Sequence, residues 1–232
     1  MLCIGHRGAG GLEPENTLRS VRRALDLGAD GIEIDVHCLE GALVVIHDST
    51  LNRTTNGSGR LRRHTLAQVR SLDAGKGERI PLLSEVLDAV DRRALVNIEL
   101  KGVRTAAPVR AVLEEYITRR GWAPENFLIS SFRRTELRQL RDSGLPIGIL
   151  FARSGRRFRP LARALRAWSI HVPLAHVTPR LVSRVHADGR KLFVFTVNDR
   201  ADMDRMQQMG VDGIFSDYPD RWTGKSAGGA AD

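Results

Sequence analysis

The sequence predicts a single (β/α)8 TIM barrel, the α/β fold in which eight parallel strands are each followed by a helix. Short apolar runs rich in β-branched residues alternate with amphipathic stretches of helical length, the pattern of repeated βα units. The chain has 232 residues, of which 42% are apolar, and this lies within the size range of one such barrel. Glycines follow several of the predicted helices, in the position that ends a helix.

Eight runs have the composition expected of barrel strands, and a ninth is weaker. The eight strands are predicted over residues 2–6, 31–36, 43–47, 95–100, 127–131, 146–151, 192–197 and 213–216. The ninth run, residues 169–172, is interpreted as a short extension in the loop after the sixth strand. Helices are predicted over residues 17–27, 82–91, 106–120, 134–143, 160–167, 179–187 and 200–209.

The alternation of strands and helices is interrupted once. Residues 52–59 are rich in turn formers and residues 65–72 predict a short helix, so we expect a small insertion of about residues 48–80 after the third strand. Residues 1–222 are then one barrel domain. The tail, residues 223–232, is small and polar enough to be predicted as disordered.

The chain is strongly basic, with a formal net charge of +9. This charge is either a compositional habit or an electrostatic preference for anionic substrates or lipid head groups. An aromatic content of 5% offers few platforms for base stacking, so no nucleic acid partner is expected. No run is long enough to span a membrane and no leader pattern is visible, so the expected location is cytoplasmic.

Carboxylates cluster on two predicted strands. In residues 31–36 strict alternation places Glu33 and Asp35 on one face, and in residues 97–101 it places Glu99 and Lys101 on one face. Three carboxylates converging at a barrel mouth require compensation, which a divalent cation, Mg²⁺ or Ca²⁺, would supply. A structural ion network with Lys101 and Arg7 is the alternative.

Two histidines, His6 and His47, fall at predicted strand ends in the same layer as these acids. Either alone is more often a structural histidine, but as a pair beside a metal site they suit general acid and general base roles. Arg7 adds a planar cation suited to phosphate oxygens. The other five histidines are interpreted as surface or loop residues, namely His37, His64, His171, His176 and His186.

Several short motifs, in order and spread over nearly the whole chain, resemble those of the glycerophosphodiester phosphodiesterases. They are His6-Arg7-Gly8, Glu13-Pro14-Glu15-Asn16-Thr17, Glu33-Ile34-Asp35-Val36, His47-Asp48, Leu51-Asn52-Arg53-Thr54-Thr55-Asn56-Gly57, Glu99-Leu100-Lys101, Thr196-Val197-Asn198 and Gly210-Val211-Asp212-Gly213-Ile214-Phe215-Ser216-Asp217. Each motif alone is weak, and the combination is specific.

The resemblance implies hydrolysis of small glycerophosphodiesters to glycerol 3-phosphate and an alcohol. It implies that His6 and His47 are the acid and base, and that the metal ligands are Glu33, Asp35 and Glu99. It further implies phosphate binding by Arg7 and Lys101 and ordering of the site by Asn16. One departure is Phe195, because the family commonly has tryptophan there; Phe195 is therefore expected to change the apolar wall of the substrate pocket.

Two alternatives remain open at this point. A lysophospholipase D would share the catalytic residues, and the basic segment 153–168 could then give weak association with an anionic membrane surface; an outer barrel helix explains the same segment. A non-catalytic basic barrel that binds phosphate groups would not need the paired histidines. The sequence leaves open the alcohol, the choice of Mg²⁺ or Ca²⁺, the cyclic-phosphate or direct-water route, and the oligomeric state.

Overall fold

The structure, a computed structural model, describes residues 1–155 and 157–224. Its nine strands are β1 (Leu2–Gly5), β2 (Gly31–Leu39), β3 (Ala42–Val45), β4 (Leu95–Leu100), β5 (Phe127–Ser131), β6 (Ile147–Leu150), β7 (Ser169–Pro173), β8 (Lys191–Phe195) and β9 (Gly213–Ser216). All except β3 pair in parallel in the order β1-β2-β4-β5-β6-β7-β8-β9, and β9 returns to β1. The barrel is closed, which confirms the predicted fold class.

The described helices are α1 (Leu18–Asp26), α2 (Leu66–Arg70), α3 (Leu83–Val90), α4 (Ala106–Arg119), α5 (Arg134–Leu140), α6 (Phe158–Ala164), α7 (Pro179–His186) and α8 (Arg200–Gln208). The main apolar core lies between these helices and the outer face of the barrel. Ile32, Ile34 and Val36 of β2 belong to it and are fully buried. The alternate residues of β2 therefore face the barrel interior.

The third predicted strand is not a barrel strand. β3 pairs antiparallel with the end of β2, so that Val36 lies opposite Val45 and Leu39 opposite Ala42. Only Glu40 and Gly41 join the two strands, both with positive φ, as a tight hairpin requires. A parallel neighbour would need a crossover of about a dozen residues or more, and that length is missing here. The prediction for residues 43–47 was wrong on this point.

The weak ninth run is instead a complete barrel strand. β7 pairs in parallel with both β6 and β8. Ile170 and Val172 pack in the outer core, whereas Ser169 and His171 alternate with them and are fully buried inside the barrel. The run looked weak because its inward residues are polar. Its interpretation as a loop extension was wrong.

The insertion follows the hairpin and has a small core of its own. Buried apolar residues of the end of β2, of β3 and α2 and of the connecting loops form this separate cluster, which consists of Leu39, Val44, Ile46, Leu51, Leu61, Val69, Ala74 and Ile80. Thr65 is the N-cap of α2, and its side chain accepts a hydrogen bond from the backbone N–H of Gln68. The insertion is therefore a small packed unit of its own, which lies at the C-terminal face of the barrel.

Within the basic segment 153–168, α6 packs on the barrel as an outer helix. Phe158 and Leu165 are at most 1% exposed, so the apolar side of α6 is already covered. Trp168, which is 39% exposed, precedes β7 and so lies at the opposite end of the barrel from the carboxyl ends of the strands. Within the described residues, no helix is long and apolar enough to cross a bilayer. The predicted disordered tail lies outside the described residues from position 225 onward.

A buried carboxylate joins two neighbouring helices. Glu136 of α5 accepts hydrogen bonds of 3.0 Å from the backbone N–H groups of Arg104, Thr105 and Ala106 at the start of α4. These N–H groups have no partner within their own helix, and the positive end of the helix dipole favours a negative charge there. The sequence does not predict this cap, because Glu136 is far from the start of α4 along the chain and reaches it only after folding.

We expect Glu136→Gln to lower the free energy of unfolding by about 1–3 kcal/mol, because the amide nitrogen cannot accept the hydrogen bonds that a carboxylate oxygen accepts. Urea unfolding followed by circular dichroism measures this change. Glu114→Gln is the matched control, since Glu114 pairs only with Arg110 on the exposed side of α4, and about 0.5 kcal/mol or less is expected. Equal effects of the two substitutions would contradict the capping role.

Candidate active site

Three carboxylates meet inside the barrel at the carboxyl ends of adjacent strands. The register places Asp35 of β2 directly opposite Glu99 of β4, with Glu33 one pleat earlier. One oxygen of each carboxylate lies within 4.8 Å of the others. Glu33, Asp35 and Glu99 are only 3%, 1% and 8% exposed. The structure thus brings together the three acids that the sequence predicts as ligands.

The surroundings of these acids oppose their ionisation. Burial, followed by the charges of Asp35 and Glu99, raises the pKa of Glu33 well above its usual value. Burial and the charge of Asp35 raise the pKa of Glu99 to about 7. Glu33 Oε1 is buried and has no hydrogen-bond partner among the described residues. A hard divalent cation fits such a cluster, because it binds carboxylate oxygens and compensates their charge.

Two cations neutralise part of the cluster. Lys101 Nζ lies 3.0 Å from Glu99 Oε1 and 3.8 Å from Asp35 Oδ1. Arg7 Nε lies 3.4 Å from Asp35 Oδ2, and the Arg7 backbone N–H donates to Glu33 Oε2 at 2.9 Å. The predicted ion network therefore exists, but it serves Glu99 and Asp35 and leaves Glu33 Oε1 free. Two protein cations face three carboxylates, so part of the negative charge is left for a metal ion to compensate.

The loop after β1 turns Arg7 toward the acids. Arg7 adopts φ 55°, in the left-handed region that costs a non-glycine residue about 1 kcal/mol or more. Gly8, at φ 81°, packs so closely on α1 that an added Cβ would lie 2.5 Å from Ser20. The hydrogen bond from Arg7 to Glu33 and the salt bridge of 2.8 Å from Arg7 to Glu15 hold this turn.

Asn16 orders the acidic cluster directly. Its side-chain amide donates to Asp35 Oδ2 at 2.9 Å, and its amide oxygen accepts from the Asp35 backbone N–H at 3.1 Å. The residue is 3% exposed and adopts φ 58°, a conformation that asparagine tolerates better than most residues. Thr17, not Asn16, is the N-cap of α1. Asn16 is thereby free to fix the orientation of Asp35.

Each of the two predicted histidines has an aspartate partner. His6 Nδ1 lies 2.7 Å from Asp217 Oδ1, and Asn198 donates to the other oxygen of Asp217 at 2.8 Å. His6 Nε2 is 4.0 Å from Glu33 Oε2. Asp217 follows β9 and thus reaches His6 across the closing seam of the barrel. It belonged to a recognised motif, but its role could not be assigned from the sequence.

His47 has the same arrangement on the other side of the acids. Its Nδ1 lies 2.6 Å from Asp48 Oδ1, and its Nε2 lies 3.1 Å from Lys101 Nζ. An ammonium group only donates, so Nε2 accepts and Nδ1 carries the proton of a neutral ring. Burial lowers the pKa of His47, which also favours the neutral form. The adjacency of Asp48 to His47 in the sequence was the signal for this pair.

One arginine of the insertion connects the two halves of the site. Arg53 donates to both oxygens of Asp48 at 2.8 and 3.0 Å and to both oxygens of Glu15 at 2.6 and 2.9 Å. Glu15 in turn binds Arg7, and Asp48 binds His47. Sequence reasoning missed Arg53 and Glu15 as site residues because the pair is separated by 38 positions.

The acidic cluster opens into a cavity of about 130 Å³. Its lining includes His6, Arg7, Glu33, His47, Asn97, Glu99, Lys101, Ser130, Phe132, Leu150, His171, Phe195, Thr196 and Phe215. The rings of Phe132 and Phe195 meet edge to face at 6.1 Å and form an apolar wall. Phe195 therefore lies where the sequence placed the pocket wall.

The floor of this cavity is polar and was not predicted. His171 is fully buried, its Nε2 lies 2.8 Å from Ser169 Oγ, and its Nδ1 has no partner among the described residues. Burial lowers its pKa to about 3, so the ring is neutral. Asn97 donates to Ser130 and presents a buried, unpaired Oδ1. Interpretation of His171 as a surface or loop residue was wrong, because its strand was not recognised.

Fold and site together define a class. The pocket at the carboxyl ends of a (β/α)8 barrel, where such enzymes have their active sites, combines three carboxylates that could hold a metal ion with a guanidinium, an ammonium and two histidines. Anionic oxygens and proton transfer are the chemistry that this set serves. It is therefore the site of a barrel enzyme that acts on phosphate esters.

Comparison with known proteins gives the family. A model described as the glycerophosphoryl diester phosphodiesterase family matches residues 6–221. A glycerophosphodiester phosphodiesterase of Caldanaerobacter subterraneus is 40% identical over 231 residues, which cover 94% of this chain and 95% of the relative. The chain belongs to the glycerophosphoryl diester phosphodiesterase family and is a phosphoric diester hydrolase.

Solved structures agree with this assignment. A phosphodiesterase of Oleispira antarctica, in complex with the product sn-glycerol-3-phosphate, is similar with a TM-score of 0.88 and 29% identity, covering 95% of this chain and 94% of that one. A glycerophosphodiester phosphodiesterase of Agrobacterium tumefaciens is similar with a TM-score of 0.82 and 30% identity, covering 95% and 98%. The likeness extends over the barrel and the insertion alike.

We expect Glu99→Gln to raise the melting temperature of the metal-free protein at pH 8. The folded pKa of about 7 lies above the reference value of 4.5, so stability from Glu99 is present below pH 4.5 and is lost as the pH rises to about 7. Glutamine carries no charge and avoids that loss. The difference in melting temperature between Glu99→Gln and the wild type should vanish near pH 4. Thermal unfolding in chelator at several pH values measures it.

Adding Mg²⁺ or Ca²⁺ should raise the melting temperature of the wild type above that of Glu99→Gln, because the wild type keeps all three carboxylates and is expected to bind the cation more tightly. Glu114→Gln, on the outer surface, serves as the control and should show neither effect. A Glu99→Gln protein that melts below the wild type at pH 8 in chelator would contradict the raised pKa.

Proposed function

We propose that the chain is a metal-dependent enzyme that hydrolyses small glycerophosphodiesters to glycerol 3-phosphate and an alcohol. The observation that carries the proposal is the acidic cluster lying between two histidines, each oriented by its own aspartate. The complex of the Oleispira antarctica relative with sn-glycerol-3-phosphate supports a small phosphate ester as the ligand.

Glu33, Asp35 and Glu99 would hold one divalent cation, Mg²⁺ or Ca²⁺. When bound, the cation supplies charge neutralisation at a non-bridging phosphate oxygen. Arg7 and Lys101 contact the same cluster and are close enough to hold the other phosphate oxygens. When a guanidinium and an ammonium bind the same phosphate, they fix the place of its phosphorus atom. They also stabilise the negative charge that develops on the phosphate oxygens.

His47 is the candidate base. Its neutral ring, with Nδ1–H donating to Asp48, presents an unprotonated Nε2. Transfer of Lys101 from that nitrogen to a phosphate oxygen would leave Nε2 free to take a proton from the nucleophile, either water or a hydroxyl of the substrate. Asp48, held by Arg53, keeps the ring in this tautomer.

His6 is the candidate acid. Asp217 contacts its Nδ1, and Glu33 lies on the side of its Nε2. With Nδ1 held by Asp217, Nε2 is the nitrogen that would donate a proton to the departing alkoxide. His6 contacts Asp217 after β9 and His47 contacts Lys101 after β4, so the two rings flank the acids and would serve different alcohol oxygens of a bound diester.

A small diester fits the site better than a lysophospholipid. The cavity of about 130 Å³ is bounded below by the barrel interior, so an acyl chain could leave only through the mouth. Exposed large apolar residues on the loops at the mouth are Leu12, Val103 and Phe132, which come from three different loops, whereas Leu2 and Trp168 lie at the other end of the barrel. The basic segment of α6 packs on the barrel with its apolar side. A lysophospholipase D is therefore not favoured.

A substrate panel with and without chelator tests the proposal. We expect turnover of glycerophosphocholine, glycerophosphoethanolamine and glycerophosphoglycerol, with a higher kcat/KM than for the corresponding lysophospholipids. Excess chelator should abolish turnover, and added Mg²⁺ or Ca²⁺ should restore it. A higher kcat/KM for lysolipids would reverse the substrate assignment, and full activity in chelator would remove the metal. Binding without turnover of any diester would favour a non-catalytic phosphate-binding barrel.

We expect His6→Ala and His47→Ala each to lower kcat by about 10² to 10⁴, the usual contribution of a general acid or base. The double variant should lose less than the product of the two, because the histidines act in one step. Metal content and thermal unfolding, measured alongside, separate chemistry from folding. Near-normal turnover in either single variant would remove that histidine from the mechanism.

The pH profile of kcat/KM should be bell-shaped, because one histidine is neutral and the other protonated in the competent enzyme. Burial holds the pKa of His47 below its reference value of 6.5, so activity should be retained below pH 6.5 before the acid limb begins. In His47→Ala the acid limb should flatten while the alkaline limb persists. An unchanged acid limb in that variant would assign it to another group.

A further inference from the structure

We propose that an arginine-lined groove beside the catalytic cavity selects phosphodiesters whose second alcohol carries an additional phosphate. The inference rests on the proposed function and names the substrate class of that same site. The groove has a volume of about 370 Å³, against about 130 Å³ for the catalytic cavity. Its arginines are Arg60, Arg62 and Arg133, and Lys101 and His37 also line it.

The groove adjoins the site at Lys101, which lines both spaces. Arg60 and Arg62 come from the insertion, and Arg133 comes from the loop after β5. Arg133 Nε donates to the carbonyl oxygen of Lys101 at 2.6 Å, which fixes this guanidinium at the junction. One alcohol of a bound diester can therefore occupy the cavity while the other extends past Lys101 into the groove.

The charge of the groove is not neutralised by the protein. Arg60 and Arg62 are exposed, and within residues 1–155 and 157–224 neither guanidinium has a carboxylate partner. Among the residues that the structure describes, no acidic side chain lines the groove. Arg53, only seven positions before Arg60, differs because Glu15 and Asp48 take up its charge. Arg60 and Arg62 thus present uncompensated positive charge beside the catalytic cavity.

A phosphate group is the ligand that this arrangement suits. Guanidinium groups bind phosphate oxygens in a planar, often bidentate geometry, and a cationic alcohol such as choline would be repelled. Val103, which is 62% exposed on the wall of the groove, offers an apolar contact for the carbon skeleton of the alcohol. The preferred substrate is therefore a soluble glycerophosphodiester with a terminal phosphomonoester.

The test uses a matched pair of substrates, glycerophosphoglycerol and the same compound with a terminal phosphate. In the wild type the phosphorylated compound should have a KM lower by about tenfold, the effect expected of two exposed charge contacts. Arg60→Gln/Arg62→Gln should bring the two KM values together. The wild-type preference should also weaken as salt is raised, since exposed charges are screened.

Arg22→Gln/Arg23→Gln is the control, because it removes the same charge from the exposed side of α1. It should keep the preference for the phosphorylated substrate. Equal KM values in the wild type would overturn the proposal. So would an equal loss of preference in the control, because net charge and not the groove would then explain the selectivity.

Failure of hydrolysis and failure of the groove are distinguishable by calorimetry with the same two compounds. If neither diester is hydrolysed, the proposed function fails. Tighter binding of the phosphorylated compound to the wild type, but not to Arg60→Gln/Arg62→Gln, would still support the groove. Equal binding of the two compounds by the wild type would overturn it.

Discussion

The enclosure of three carboxylates in the mouth of a closed barrel is the constraint on which the site depends. Adjacent parallel strands place Asp35 opposite Glu99, and burial removes the water that would otherwise solvate both charges. Such a cluster is unfavourable by itself, as the raised pKa values of Glu33 and Glu99 indicate. It is stable only with cations, and Arg7 and Lys101 supply part of what it requires.

Most other features of the site hold a charged group in a fixed position near that cluster. The left-handed turn at Arg7 directs its guanidinium to Asp35, and Asn16 fixes the orientation of the same carboxylate. The aspartate partners orient the two histidines, and Arg53 ties one of these aspartates to the partner of Arg7. The insertion thus contributes to the active site through an ion network and not through its small core.

Local patterns in the sequence were sufficient for the fold class and for the acids. Alternation along β2 and β4 predicted that Glu33, Asp35 and Glu99 point inward, because a strand has a period of two. Long-range contacts left no such pattern: Asp217 reaches His6 across 211 positions. β3 was misassigned because apolar composition does not distinguish parallel from antiparallel pairing; only the structure shows that two residues, Glu40 and Gly41, join β2 to β3, too few for a parallel crossover. His171 was missed because the inward residues of β7 are polar, so the sequence lacked the apolar pattern that predicts a buried strand. The neighbouring strands β6 and β8 bury it in the fold.

The most direct test of the central claim is a crystal structure of the protein grown with Mn²⁺, which has an anomalous signal and accepts the same oxygen ligands as Mg²⁺ and Ca²⁺. An anomalous peak within bonding distance of carboxylate oxygens of Glu33, Asp35 and Glu99 is the expected result. A Glu99→Gln crystal grown in the same way should show a weaker peak. A fully occupied Mn²⁺ site elsewhere, with these three carboxylates bound only to Arg7 and Lys101, would contradict the assignment.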